Sequence, residues 1–507
     1  MKIIDTIVQY KDGQFLEIDD QEIIEKGRKE TLSYNILMAH QQAEGNENLK
    51  LRFDSLTSHD ITYVGIIQTA RASGMEEFPL PYVLTNCHNS LCAVGGTINE
   101  DDHVFALSAA RKYGGIYVPA HYAVIHSFNR EMMTACGNMI LGSDSHTRYG
   151  AQGTMGIGEG GGELAKQLLK RTYDIPYPKV IAIHLVGKPR KSVGPHDVAL
   201  ALISQTFNRG ILKNAVLEFV GEGIHHLSQD YRNGIDVMTT ETTCLSSIWE
   251  TDDITKDYYE RHGREYAYQK LSVNEAVYDG CIEMDLAEIE PMIALPMHPS
   301  LALPIREFKK DPKKYLLEAQ ERMKKQMPNA DIDLLSKVDE DGNVHIDQAV
   351  IAGCSGGIYE NIVAASHILQ EDSIGNGNFT LSIYPDSMPI YKALLEDGTQ
   401  MKLIQNGAII REAFCGPCFG AGDTPSANSL SIRHTTRNFP NREGSKPNEG
   451  QASAVCLMDA RSIAATAKNK GILTSADEVE IDDFKIEPAF FDQKIYENRI
   501  YNGLGNP

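Results

Sequence analysis

The stretch KVIAIHLVG, residues 179–187, decides the fold class. It is an apolar, β-branched run closed by a glycine, and it reads as a buried strand. Gly194-Pro195-His196-Asp197 follows and opens the helical run VALALISQTF. Proline suits a first helical turn because its missing N–H would have no partner there. An aspartate suits it because that end of the helix dipole is positive. Further along, Gln348 to Gly353 is a short apolar strand ending at Cys354. Phe379 to Tyr384 is another, followed by a helical segment over Pro389 to Glu396. Strands alternating with helices predict an α/β protein with mostly parallel sheets and its function at the strand ends.

A chain of 507 residues is too long for one hydrophobic core. At roughly 150 residues each, about three domains are expected. We place them at 1–205, 206–330 and 331–475, around a central site. Five of the seven residues from Asp477 to Asp483 are acidic, and 476–507 reads as an extended linker. The 69 acids against 48 Lys and Arg give a net charge of −21, which repels phosphate backbones and makes nucleic acid an unlikely partner. No apolar run approaches a membrane span, and the first twenty residues lack the apolar core of a secretory signal. Nine cysteines, an odd number, fit a disulfide framework poorly and point to a reducing, cytoplasmic setting.

Cys415-Gly-Pro-Cys418 is the sharpest short motif. It can be two buried small residues at a turn, a zinc site or a thioredoxin-type dithiol. The dithiol needs a strand before the motif and a helix opening at it, yet Gly420, Gly422 and Pro425 follow closely. A further reading adds Cys354, in Gly353-Cys354-Ser355-Gly356-Gly357. Three soft thiolates can hold three irons of a cubane and leave the fourth open to substrate.

Ser143-Asp144-Ser145-His146-Thr147 is dense in acid–base groups, with His126 and His88 upstream. Any one histidine is more often a satisfied hydrogen-bonding residue than a catalyst. An adjoining carboxylate would raise an imidazole's pKa and fix its tautomer, and Asp144 is the candidate to do so for His126. Gly150 to Gly162 holds seven glycines but no Walker lysine, so it reads as close backbone packing rather than a phosphate loop. Arg437 and Arg442, with Arg433 and Lys446, form a basic island in an acidic chain. They are either a solvated loop or a grip on substrate carboxylates.

Taken in order, these motifs resemble the aconitase superfamily of iron–sulfur hydro-lyases, over about residues 55 to 475. The pieces are D-S-H-T at 144–147 with the glycine run, G-C-S at 353–355, C-G-P-C at 415–418 and R-N-F-x-x-R at 437–442. Asp285-Leu286, Glu290-Pro291 and Pro299-Ser300-Leu301-Ala302 look like the family's second domain. The resemblance implies a [4Fe-4S] cluster on Cys354, Cys415 and Cys418, whose open iron takes a substrate hydroxyl and carboxylate. It implies active-site histidines at His88 and His126, the latter partnered by Asp144. Ser145 and His146 match D-S-H positions near cluster and substrate. Glu241 matches a glutamate that handles iron-bound water, and Arg437 and Arg442 match carboxylate-binding arginines.

The chain departs from the family pattern around the substrate. Cys87 replaces an aspartate before His88, removing that carboxylate's support. His59 stands for a glutamine, Val237 for an asparagine and Thr436 for another, while Cys354 is followed by Ser-Gly-Gly rather than Thr-Asn. These changes put citrate and isocitrate in doubt and imply a divergent hydratase of a small hydroxy-polycarboxylate. Family members use a fourth, swivelling domain, in the same chain or as a separate small subunit, and this chain stops in what looks like the linker to it. The alternatives are a degenerate member keeping the cluster as a sensor, or a regulator that binds RNA in its apo form.

Overall fold

The computed structural model describes residues 1–45, 47–88, 96–442, 444 and 446–504. Three sheets carry the molecule. A six-stranded sheet runs in the order Tyr501–Asn502, Ile116–Val118, Tyr82–Thr85, Ser55–His59, Met139–Gly142, Met155–Gly158, parallel except at Tyr501–Asn502. A five-stranded sheet orders Lys2–Ile4, Cys281–Asp285, Val180–Val186, Val216–Val220, Ser246–Trp249, with only Lys2–Ile4 antiparallel. A seven-stranded sheet orders Ala302–Pro304, Met292–Ala294, Ala454–Met458, Leu430–His434, Gln348–Ile351, Thr380–Ile383, Ile409–Ile410. Its last five strands are parallel. The protein is therefore a mixed α/β fold with mostly parallel sheets, as expected. No helix among the described residues is long and apolar enough to cross a membrane.

The opening stretch is the strand Val180–Val186, buried up to its last residue, and it has parallel partners on both sides. Pro195 starts the helix Pro195–Thr206, and Asp197 Oδ2 accepts the Gly194 N–H at 2.9 Å.

The sheets do not divide the chain at 205 and 330. Val180–Val186 lies at the centre of the five-stranded sheet, and Met292–Ala294 and Ala302–Pro304 extend the seven-stranded one. A buried strand needs ladder partners for its N–H and C=O groups, and these lie across the proposed boundaries. Nor is 476–507 a bare linker. Phe491 and Tyr496 are buried against Val83, Ile116 and Phe128, and Tyr501–Asn502 adds to the six-stranded sheet. The spacing of Phe491, Ile495, Tyr496 and Ile500 supplies the apolar face that sheet edge accepts.

The docked tail covers two buried acids. Glu131 accepts from Ser387 Oγ at 2.7 Å and from the Tyr496 hydroxyl. Burial, then the charge of Asp386, pushes its pKa up to about 8. Burial pushes Asp386 up to about 7, even though Ser127 Oγ donates to it at 2.5 Å. Both acids hold protons in the folded state that the unfolded chain would release. Their contribution is thus present below the unfolded pKa of about 4 and is lost as pH rises through 7 to 8. Denaturant titrations are expected to show stability falling by several kcal/mol from pH 5 to pH 8.5, at about 1.4 kcal/mol per unit of pKa shift. Glu131→Gln should flatten the slope, and a wild-type profile level across that range would contradict the assignment.

Candidate active site

The site is assembled from residues just beyond the carboxyl ends of parallel strands, where such sheets place function. His59 ends Ser55–His59, His88 follows Tyr82–Thr85, and Asp144 follows Met139–Gly142. Cys354 follows Gln348–Ile351, and Arg437 follows Leu430–His434. The glycine run packs closely beneath them. A Cβ on Gly158 would stand 2.4 Å from the Asp144 carbonyl oxygen, so only glycine lets this strand support the D-S-H-T loop.

Asp144 is the hub. Its Oδ1 lies 3.0 Å from His126 Nε2 and 2.8 Å from the His146 backbone N–H. Its Oδ2 stands 3.5 Å from His88 Nε2 and 3.7 Å from His59 Nε2. Burial opposes its charge, but the His126 imidazole and the other contacts hold its carboxyl well below the usual range. With His126 Nε2–H donating to this carboxylate, Nδ1 accepts from the Tyr149 hydroxyl at 3.0 Å.

The two catalytic-type histidines divide in the opposite sense to the expectation. Burial lowers the His126 pKa despite Asp144 beside it. His88 is also buried, but the neighbouring Cys415, then Asp144 and Asp60, overcome that and raise it to about 9. The replacement at Cys87 does not strip His88 of carboxylate support. Asp60 Oδ1 accepts its backbone N–H at 2.9 Å, and Asp144 faces its ring. The ring is fixed between His59, stacked at 3.9 Å, and Phe419 at 5.1 Å. Burial and the charge of His88 push the His59 pKa down to about 3, so His59 is a neutral partner.

Glu241 sits in the one-turn helix Thr239–Thr242 and is almost wholly buried. Its Oε1 meets both His146 Nε2 and Arg437 Nε at 2.7 Å. Those partners, Arg437 first, lower its pKa against the cost of burial. Arg437 is thus tied to Glu241 at Nε. Arg442 lines the same cleft, and burial and the neighbouring Arg437 hold its pKa below the ordinary value. Ser145 is exposed in the cleft, its carbonyl taking the Thr240 hydroxyl at 2.8 Å.

Cys354, Cys415 and Cys418 line a small cavity of about 60 Å³ beside His88, His126 and Asp144. It shares His88, Asp144, Ser145, Phe419, Arg437 and Arg442 with an outer cleft of about 510 Å³. Three observations fit a group held on these sulfurs. The three thiols face one cavity from two segments, as a soft-metal donor set would. Gly353, at φ +73°, has no Cβ where one would meet Cys418 Sγ at 2.6 Å. Ser355 Oγ, beside Cys354, is buried without a hydrogen-bond partner among the described residues. The C-G-P-C segment forms a single 3₁₀ turn, Gly416–Cys418, with no α-helix opening at it, unlike a thioredoxin dithiol. Cys87 is buried beside Cys415, and Cys92 lies outside the described residues.

All twelve site candidates come together here. Sequence reasoning missed Arg130, whose guanidinium donates to the Cys354 carbonyl at 2.8 Å, and Asp60 with its His103 partner at 3.2 Å. Arg130 lies 224 positions from Cys354, and no local pattern marks it. Tyr149, two residues beyond D-S-H-T, was within reach of a closer reading.

Strand-end histidines, a buried carboxylate hub and three thiols around one cavity form an arrangement with the donors to hold a soft metal and the groups to move protons beside it. The chain belongs to the aconitase family: the model of that family, described as aconitate hydratase, matches residues 34–467. It is 28% identical over 471 residues to the mitochondrial aconitate hydratase of Aspergillus fumigatus, covering 88% of this chain and 56% of that protein. It is 26% identical to the mitochondrial aconitate hydratase of Schizosaccharomyces pombe, covering 93% of this chain and 60% of the other. Against the 3-isopropylmalate dehydratase large subunit of Clostridium kluyveri it is 28% identical over 350 residues, 68% of this chain and 73% of that one. The chain thus spans little more than half the length of the aconitate hydratases it matches.

Proposed function

We propose that the protein is a cytoplasmic iron–sulfur hydro-lyase that dehydrates or hydrates a small hydroxy-polycarboxylate other than citrate. Its relatives are by name an aconitate hydratase and the large subunit of a 3-isopropylmalate dehydratase. The observation that carries the reading is the convergence of Cys354, Cys415 and Cys418 with the Asp144 histidine set and two arginines on one cavity and cleft. In this reading the three thiolates hold a [4Fe-4S] cluster, which when bound supplies a Lewis acid for the hydroxyl being lost.

The chain's own residues do the rest. Arg442, with the terminal guanidinium nitrogens of Arg437, orients substrate carboxylates by charge-assisted hydrogen bonds. His88, protonated at neutral pH, donates a proton on the hydroxyl side. His126, held as the Nε2–H tautomer between Asp144 and Tyr149, keeps that carboxylate in place. His146 and Glu241 position a proton at the departing or entering water. The carbon-side base comes from a swivel domain, in cis or as a small subunit. That arrangement rests on the 56% coverage of an aconitate hydratase and on the match to a protein named as a large subunit.

A second reading, a degenerate member that keeps the cluster as a sensor, has Val237 in its favour. Val237 is fully buried in an apolar wall beside Cys87 and Cys354, where the family pattern has a polar side chain.

Anaerobic reconstitution with iron and sulfide is expected to give about four irons per chain. The broad visible absorption should be lost in Cys354→Ser, Cys415→Ser or Cys418→Ser and kept in Cys136→Ser or Cys456→Ser. Reconstituted protein with a swivel domain supplied should then hydrate at least one member of a panel of unsaturated di- and tricarboxylates. Undiminished absorption in Cys415→Ser would overturn the cluster assignment. A full cluster without turnover on any panel member would favour the sensor.

A further inference from the structure

Cys87 is the replacement that the hydro-lyase reading leaves unused. Its side chain is fully buried, and its Sγ lies 3.3 Å from His88 Nδ1. The Cys415 backbone N–H donates to the Cys87 carbonyl at 2.8 Å, which holds the two segments side by side. The Cys87 and Cys415 sulfurs and one His88 ring nitrogen all lie within 4.8 Å of one another.

We propose that, when no cluster is present, Cys87, His88 and Cys415 bind one borderline divalent transition-metal ion, such as Zn²⁺, as a Cys₂His site with its fourth position open. A tetrahedral ion with Zn–S near 2.3 Å and Zn–N near 2.0–2.1 Å has ligand atoms about 3.5–3.8 Å apart. The gathered atoms need only small rotamer adjustments to reach that spacing. A cubane spreads its thiolates over separate irons, whereas these two sulfurs and the imidazole converge within reach of a single ion.

The surroundings suit such a site. With Nδ1 turned to the metal, His88 Nε2 faces the Asp144 carboxylate at 3.5 Å, a carboxylate–histidine–metal arrangement that orients the ring and strengthens the donor. The stacked His59 and Phe419 rings hold the imidazole in place. As the ion binds at neutral pH, the two thiols and the Nδ1–H of the His88 imidazolium release three protons to solvent, leaving Nε2–H toward Asp144. Because Cys415 serves both groups, ion and cluster exclude each other. The inference rests on the cluster reading only for that competition.

The test titrates anaerobic, metal-free protein with Co²⁺. One equivalent per chain is expected to give thiolate-to-cobalt charge transfer and tetrahedral ligand-field bands, both erased by Zn²⁺. Cys87→Ala and the near-isosteric Cys87→Ser should abolish the bands while keeping native circular dichroism and cluster assembly. Cys354→Ser and Cys418→Ser should keep the bands while losing the cluster. Asp144→Asn should weaken binding about 10–100-fold. Zn²⁺-loaded wild type should resist cluster reconstitution until a chelator is added. Absent bands in wild type, bands that persist without Cys87, or bands that require Cys354 would each overturn the site. If the cluster fails to form even in wild type while the cobalt bands behave as expected, the cluster reading falls and this one stands.

Discussion

Asp144→Asn is expected to lower turnover by about 10²–10⁴-fold on whichever substrate the panel identifies. Asparagine keeps the size of the side chain and one acceptor oxygen but removes the charge on which His126, His146, His88 and His59 converge, at 3.0, 2.8, 3.5 and 3.7 Å. Its amide must also present N–H to one side, and His126 Nε2–H and the His146 N–H both need an acceptor at Oδ1. A second readout needs no substrate. In metal-free wild type the His88 ring should stay protonated until about pH 9. In the variant its titration, followed by NMR, should fall toward the ordinary 6.5, with Cys415 and Asp60 retaining part of the shift. An unmoved His88 titration, or turnover within a few-fold of wild type, would refute the role of Asp144 as hub.

Arg437→Ala should cost about 3–5 kcal/mol of stability, because it leaves the buried Glu241 carboxylate facing His146 alone. The arginine is 18% exposed and the glutamate 2%, which favours the lower end of that range. Arg437→Lys should recover little, since an ammonium cannot place a donor where Nε sits while leaving a planar fork toward the cleft. Glu241→Gln in the Arg437→Ala background should restore much of the loss, because it removes the stranded charge. Denaturant titrations of wild type, Arg437→Ala, Glu241→Gln and the double variant complete the cycle and yield the coupling directly. A coupling below about 0.5 kcal/mol would show that the contact contributes no more than an exposed pair.

The sequence by itself determined the fold class and the ordered motifs, and it named twelve candidates that the fold gathers into one region. Apolar runs such as Val180–Val186 must be buried between parallel neighbours, and the helix start at Pro195 is a local matter of caps and dipoles. Both are written in contiguous residues. The motifs were legible because a loop that must place Asp144, Ser145 and His146 together carries them together.

Only the tertiary structure decided which sheet each strand joins, and so where the sheets divide the chain. Ladder partners such as Val180–Val186 and Cys281–Asp285 are about a hundred residues apart, and pairing across such distances has no local signature. The docking of Phe491 and Tyr496 likewise depended on an apolar edge built by Val83, Ile116 and Phe128. The reversal between His88 and His126 is the clearest case. Each lies beside Asp144, but a pKa is the balance of burial against every charge within a few ångströms. For His88 that sum includes Cys415, which is 327 positions away in the chain and adjacent in space. Spacing along the chain told which groups meet; the sign of their electrostatic balance came only from the packing around them.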